Sequence, residues 1–325
     1  MPATQHELTG VLLLTDPGMA AHAAPGHPER PERLEAVAQG VADGAAAAGA
    51  RLDRPAVVSA TAEEIGRVHP AAYLAALDRA AERGGAWLDG DTYVVRESMV
   101  AARLAAGAAV QAARSVAGGQ ASIAMAVGRP PGHHAAAERP SGFCLLNNVA
   151  VAAEALRADG LAERVAIVDW DVHHGDGTQA LYDEDPAVCY ASTHQMPLFP
   201  GSGDSAERGR GAGNGTMHNA PLPPGSGDAA FLAAWEEQLL PAVEAFGPDA
   251  ILASAGYDGH RADPLAHLEI TEAGYEELTR RLGALCGRLG LPGIALCLEG
   301  GYDLPALRAS SAATIRGFLR GLGEG

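Results

Sequence analysis

The sequence predicts an α/β fold: a central, mainly parallel eight-stranded sheet flanked by helices on both faces. Three observations carry that prediction. Short apolar runs alternate along the chain with longer Ala/Leu-rich amphipathic segments, the pattern of strands joined by helical crossovers. Polar clusters follow five of those runs, at the positions where open α/β sheets bind their ligands. Neither a linker nor a repeat interrupts the pattern, so one domain over residues 1–325 is expected.

Strands are expected at Val11–Leu14, Ala56–Ser59, Ser122–Val127, Val165–Val168, Val188–Ser192, Thr216–Ala220, Ala250–Ser254 and Ile294–Leu298, each a short aliphatic run. Helical periodicity covers Arg30–Ala48, Pro70–Arg83, Glu97–Val116, Asn147–Ala158, Asp228–Ala245, Thr271–Leu289 and Leu304–Leu319. Thr271 followed by Glu272 reads as a helix start, and Pro241 should interrupt the helix that contains it. The Gly-rich stretch Gly201–Gly215 reads as a loop.

A chain of 325 residues can bury a large core. Hydrophobic residues make up 47% of it and aromatics 5%, so that core must be mostly Ala, Val and Leu. The formal charge of −17, without a basic run, counts against nucleic acid as a partner. All 23 basic residues are arginine, which excludes lysine Schiff-base chemistry. Cys144, Cys189, Cys286 and Cys297 lack paired spacing, so neither a disulfide framework nor a zinc finger is expected. Apolar runs stay short of the roughly 18 residues of a membrane span, and the expected location is cytoplasmic, without membrane attachment.

Chemistry concentrates where the run Val165–Val168 ends, in Asp169-Trp-Asp-Val-His-His-Gly-Asp176. Alternate side chains of an extended segment share a face, so Asp169, Asp171 and His173 should point together. Such an O/N cluster suits a divalent cation. A catalytic site needs about three protein ligands and an open position. Asp171 and His173 can supply two, and Asp258, beyond a neighbouring strand, the third. Zinc or iron(II) fits that set. His133-His134 offers a general base if Asp169 and Asp176 accept the second N–H of each imidazole. Tyr302, between Gly301 and a helix start, can donate its phenol to an oxyanion.

Several motifs in order along the chain resemble the zinc-dependent histone deacetylase family: Arg129-Pro-Pro-Gly-His-His134, Gly142-Phe-Cys-Leu-Leu-Asn147, Asp169-x-Asp-x-His-His-Gly-x-Gly177, Phe199-Pro-Gly-Ser-Gly203, Ser254-Ala-Gly-Tyr-Asp258 and Glu299-Gly-Gly-Tyr302. His27-Pro-Glu-Arg-Pro-Glu-Arg-Leu34 is similar to its class II and bacterial amidohydrolase branch. The resemblance implies the three-layer arginase/deacetylase fold and hydrolysis of an acetylated amine by metal-activated water. It implies zinc on Asp171, His173 and Asp258. His134, paired with Asp176, becomes the principal base and acid, and His133, paired with Asp169, assists. Tyr302 polarises the scissile carbonyl, Gly142 accepts the substrate amide N–H, and Phe143 and Phe199 flank the acetylated chain. Potassium is implied at Asp169, Asp171, His173, Ser192 and Thr193, with a second site near Tyr182, Asp185 and Val188. His174 is left to support its loop.

The implied substrate is an acetylated peptide or protein, or a small acetylated amine. Polyamine-selective relatives place an acidic residue after an Asp-Pro pair, whereas here Asp263-Pro264 is followed by Leu265. That favours acetyl-lysine over acetylpolyamines, with Asp91 placed to contact the substrate backbone. A binuclear manganese ureohydrolase and a non-catalytic binder of acetylated ligands are the alternatives of other classes. A homo-oligomer is compatible with all of them.

Overall fold

The computed structural model describes residues 10–325. The elements run β1 (Gly10–Leu14), α1 (Glu32–Ala47), β2 (Arg51–Asp53), α2 (Ala62–Gly66), α3 (Ala71–Glu82), β3 (Ala86–Trp87), β4 (Tyr93–Val94), α4 (Ser98–Ala117), β5 (Ile123–Ala126) and α5 (Asn148–Ala158). The second half continues with β6 (Val165–Asp169), α6 (Asp176–Tyr182), β7 (Val188–Gln195), β8 (Met217–Leu222), α7 (Asp228–Ala234), α8 (Leu240–Phe246), β9 (Ala250–Ala255), α9 (Glu272–Leu289), β10 (Ile294–Leu298) and α10 (Leu304–Leu322).

Eight strands form one sheet in the order β2-β1-β5-β10-β9-β6-β7-β8, with every neighbouring pair parallel. A parallel sheet must be covered on both faces, and β1, β5, β6, β9 and β10 are buried along their whole length. α4 and α5 pack together over the centre of the sheet, while α1, α9 and α10 form a second group. The small side chains of α4 allow this, since its buried face is mostly alanine.

The five strands whose ends carry polar clusters are β5, β10, β9, β6 and β7, and these are contiguous at the centre of the sheet. Chain order alone scatters them. The crossovers bring β10 and β9 between β5 and β6, so five loops meet at one edge.

Two expected elements differ. The strand expected at Ala56–Ser59 is not part of the sheet; β2 lies earlier, at Arg51–Asp53. Pro55, just before the expected run, has no N–H for a ladder, and the segment crosses α4 instead, with the Val58 N–H on Gln111 Oε1 and the Ala60 N–H on the Arg103 carbonyl. Edge strands tolerate charge, which is why Arg51 and Asp53 can occupy one. The helix expected over Asp228–Ala245 is divided into α7 and α8 by a wide π turn at Trp235–Leu239. Pro241 has no N–H to give to the carbonyl four residues back, so the regular ladder lapses there. The β3–β4 ribbon, two residues a side, had no periodicity to announce it.

Candidate active site

Where β5 leaves the sheet, Gly132-His133-His134 turns beneath the buried carboxylate of Glu299, which follows β10. Glu299 Oε2 accepts from the Gly132 N–H at 2.6 Å and the His133 N–H at 3.1 Å, and Oε1 accepts from Ser254 Oγ at 3.1 Å. Glu299 therefore ties together the ends of β5, β9 and β10, and burial pushes its carboxyl up to about 7. The motif Glu299-Gly-Gly-Tyr302 does not by itself assign Glu299 a task; only the sheet order reveals its three partners.

The two histidines point apart. His133 Nδ1 meets Asp169 Oδ2 at 3.1 Å, an oxygen that also accepts from the Tyr190 hydroxyl at 2.9 Å. His134 Nδ1 meets Asp176 Oδ1 at 2.8 Å, and Arg139 donates to Asp176 Oδ2 at 2.8 Å. Burial works against the Asp176 charge, yet His134 and Arg139 hold its carboxyl at about 2. An ionised Asp176 can only accept, so His134 Nδ1 carries a proton and Nε2 is left free. Burial and the neighbouring His133, 4.0 Å away between ring centroids, keep His134 neutral with a value near 3. Burial also opposes charge on His133, but Asp171 and Asp169 outweigh it and raise that imidazole well above its ordinary value.

Asp171, His173 and Asp258 present ligand atoms that all lie within 4.8 Å of one another. His173 Nδ1 stands 3.1 Å from Asp171 Oδ1 and 3.2 Å from Asp258 Oδ2. The other carboxylate oxygens are fixed by backbone: Asp171 Oδ2 accepts from the Gly300 N–H at 2.7 Å, and Asp258 Oδ1 from the Val172 N–H at 2.9 Å. Among the described residues, Asp258 Oδ2 is buried with no hydrogen-bond partner. A buried carboxylate oxygen without a donor, facing an imidazole nitrogen and a second carboxylate, fits a bound cation. Burial disfavours charge on His173, but the two carboxylates overcome that and raise it to about 10. Glycine at 300 is a matter of space: a Cβ there would run into the carboxylates of both Asp171 and Asp258.

Above these groups opens a pocket of about 250 Å³, lined by His133, His134, Asp171, His173, Gly142, Phe143, Phe199, Leu265, Asp91 and Tyr302, among others. Phe143 has φ of 71°, a left-handed conformation that is strained for an aromatic residue. Its N–H is held by Thr92 Oγ1 at 3.0 Å, and its ring stands edge-on to Tyr302 at 5.9 Å. Phe199 stands edge-on to His134 at 5.1 Å and is 43% exposed, so it forms the outer wall. Burial, reinforced by Asp258, pushes the Tyr302 phenol well above its ordinary value and keeps it a donor. Leu198, also in the lining, had no signal in the sequence.

The structure thus gathers the expected catalytic, metal-ligand and pocket residues around one site; Ser192 and Thr193 lie outside the pocket lining, with Ser192 opposite Asp169 across β6 and β7. Both sit in β7, where the Ser192 hydroxyl pairs with His194 Nδ1 at 2.9 Å and Trp235 Nε1 donates to Thr193 Oγ1 at 3.1 Å. Near the second expected potassium position, Asp185 is paired with Arg157 at 2.8 Å and the Tyr182 hydroxyl donates to the Ala150 carbonyl at 3.2 Å. His174 bonds Ser202 Oγ at 2.8 Å and Gln179 Oε1 at 3.0 Å, bracing its loop.

A five-strand convergence of this kind, with paired carboxylates behind two histidines, suits a hydrolase, and comparison with known proteins specifies it. The chain belongs to the histone deacetylase family, whose domain profile matches residues 27–318. It is 40% identical over 300 residues to Histone deacetylase 15 of Arabidopsis thaliana, covering 90% of this chain and 53% of that protein. The chain therefore spans about half the length of that relative. A probable deacetylase of Archaeoglobus fulgidus is 39% identical over 91% of this chain and 83% of its own length. A histone deacetylase-like amidohydrolase of Pseudomonas aeruginosa is 38% identical over 86% of this chain and 74% of its own length. The crystal structure of the HDA15 HD domain matches with TM-score 0.89 at 38% identity, covering 95% of this chain and 88% of that one. The family is one of hydrolytic deacetylases acting on acetylated substrates. Among the described residues, no helix is long and apolar enough to cross a membrane.

Proposed function

We propose that this chain removes acetyl groups from acetyl-lysine in peptides or proteins, with a divalent cation, zinc by preference, held by Asp171, His173 and Asp258. The observation that carries the reading is that the triad's ligand atoms cluster where His134, held by Asp176, and Tyr302 line the same pocket as Asp171 and His173. A cation held there would polarise the acetyl carbonyl and acidify a water molecule.

The remaining work falls to the chain's own side chains. His134 takes a proton at Nε2, while Asp176 fixes its tautomer through Nδ1 and steadies the imidazolium that results. That proton then passes to the leaving amine. Tyr302 donates its phenolic O–H to the oxygen that develops negative charge. Phe143 and Phe199 enclose the aliphatic stem of the acyl-lysine and exclude water, and Gly142 offers a carbonyl to its amide N–H. Leu265 presents no charge to a distal ammonium, which favours acetyl-lysine over acetylpolyamines, and Asp91, also in the lining, would accept from the substrate backbone. Potassium near Asp169, Ser192 and Thr193 would be bound mainly through carbonyl oxygens.

Two measurements test this. Tyr302→Phe is expected to keep its metal content and lose roughly 10²-fold in turnover, as for loss of one oxyanion donor; wild-type turnover in that variant would sink the assigned role. Comparing kcat/KM for an acetyl-lysine peptide with N-acetylputrescine and N8-acetylspermidine, with bound metal quantified, tests the substrate. A clear polyamine preference would overturn it.

A further inference from the structure

Asp263 lies outside every role assigned so far, yet its carboxylate touches two parts of the site. It is only 8% exposed. Its Oδ2 accepts from the Tyr302 N–H at 2.7 Å and the Asp303 N–H at 3.3 Å, and its Oδ1 accepts from the Leu265 N–H at 3.0 Å. A carboxylate buried on backbone N–H groups alone is costly compared with one paired to arginine. Tyr302 and Leu265 line the same pocket.

Both segments depend on that carboxylate. Tyr302 follows Gly301, whose φ of 116° belongs to a residue free of side-chain restraint, and precedes the start of α10. Leu265 stands in a loop anchored at its ends, by the Asp263 N–H on the His260 carbonyl and by the His267 N–H on Gln195 Oε1, both at 2.8 Å. Between those anchors, the bond to Asp263 Oδ1 sets how far Leu265 reaches over the pocket.

We infer that Asp263 is a positioning residue for the reaction, one carboxylate fixing both the Tyr302 donor and the Leu265 wall; this rests on the role proposed for Tyr302. An amide cannot replace it. Both oxygens accept, and an amide offers one acceptor and one donor. With two N–H groups at Oδ2 and one at Oδ1, the oxygen of Asp263→Asn settles toward Tyr302, and its NH₂ confronts the Leu265 N–H.

The test is steady-state kinetics on the full-length, metal-loaded enzyme with an acetyl-lysine peptide. Asp263→Asn is expected to raise KM roughly 5-fold or more while kcat stays within about 3-fold, the pattern of lost ground-state binding. Asp263→Ala frees both segments and should also lower kcat by roughly 10-fold or more. In a Tyr302→Phe background that further loss of kcat should shrink to about 2-fold or less, because the two changes act through one group. A merely structural role predicts otherwise: a smaller active fraction lowers kcat, leaves KM unchanged and multiplies in full with Tyr302→Phe. That pattern, or wild-type KM in Asp263→Asn, overturns the inference. Wild-type turnover in Tyr302→Phe would instead bring down the underlying role of Tyr302. If Asp263→Ala does not fold, the KM of Asp263→Asn decides alone.

Discussion

Glu299 shows what one buried carboxylate does when it accepts from three directions. Its replacement by Gln keeps every bond: the amide oxygen can take the two backbone N–H groups and the NH₂ can donate to Ser254 Oγ. Replacement by Ala leaves the Gly132 and His133 N–H groups buried without an acceptor, at roughly 1–3 kcal/mol each. Denaturant midpoints should therefore place Glu299→Gln within about 1 kcal/mol of wild type and Glu299→Ala at least about 2 kcal/mol below it. Equal losses would show that charge, not acceptor geometry, matters there. The contrast explains what the sequence could reveal about the site. Asp171, His173, Asp258, the histidine pair and Tyr302 were legible because ionisable side chains at strand ends are costly without a task. Glu299 also follows a strand, but its task, like that of Asp263, is mainly to accept from backbone N–H groups, which every residue type supplies and no spacing marks.

At the scale of elements, glycine sets how closely the helices approach. Gly317 of α10 faces the Glu276 carbonyl of α9, and a Cβ at 317 would overlap it. Alanine gains about 1 kcal/mol in helix propensity, but overpacking against a rigid carbonyl costs roughly 1–3 kcal/mol. Gly317→Ala is therefore expected to melt lower than wild type despite the better helix former. Gly66→Ala, on α2 with open space around it, should not. A raised melting temperature for Gly317→Ala would show that α9 and α10 can separate without penalty. The same distinction governs how much of the fold was legible. Strands buried on both faces declared themselves as aliphatic runs, so seven of the eight sheet strands were expected within a few residues of their places. The eighth, β2, carries Arg51 and Asp53 because an edge permits it, and hydrophobicity pointed to the apolar run just after Pro55 instead. The π turn needed the specific consequence of Pro241 for the ladder, which signals a break without saying what geometry fills it.

The whole molecule carries its charge unevenly: acidic overall, yet with several histidines away from the triad held neutral inside. His22 is the clearest case, stacked 4.3 Å from Tyr93 and bonded through Nδ1 to Ser98 Oγ at 2.7 Å. Burial lowers it from 6.5 to about 4, against the pull of nearby Glu29. Burial lowers His69 and His194 as well. Glu29 is buried too, but Arg129 and Arg33 outweigh that and hold it at about 2. At these groups the unfolded chain takes up protons at the ordinary values before the folded protein does, so their contribution to folding is lost as pH falls. The histidine contribution is complete above about pH 6.5 and drains away toward pH 4. The Glu29 contribution is complete above about pH 4.5 and is lost toward pH 2. Acid sensitivity from the lowered histidines should therefore begin near pH 6.5, opposed in part by Glu299, whose carboxyl, raised to about 7, takes its proton sooner in the folded protein than in the unfolded chain. His22→Asn keeps a polar atom near Ser98 and removes the titrating group. It should be less stable than wild type at pH 7, yet lose roughly 2 kcal/mol less between pH 7 and pH 5. Denaturant unfolding of both proteins at those two pH values measures the difference. Parallel losses would mean that His22 is already free to take a proton in the folded state.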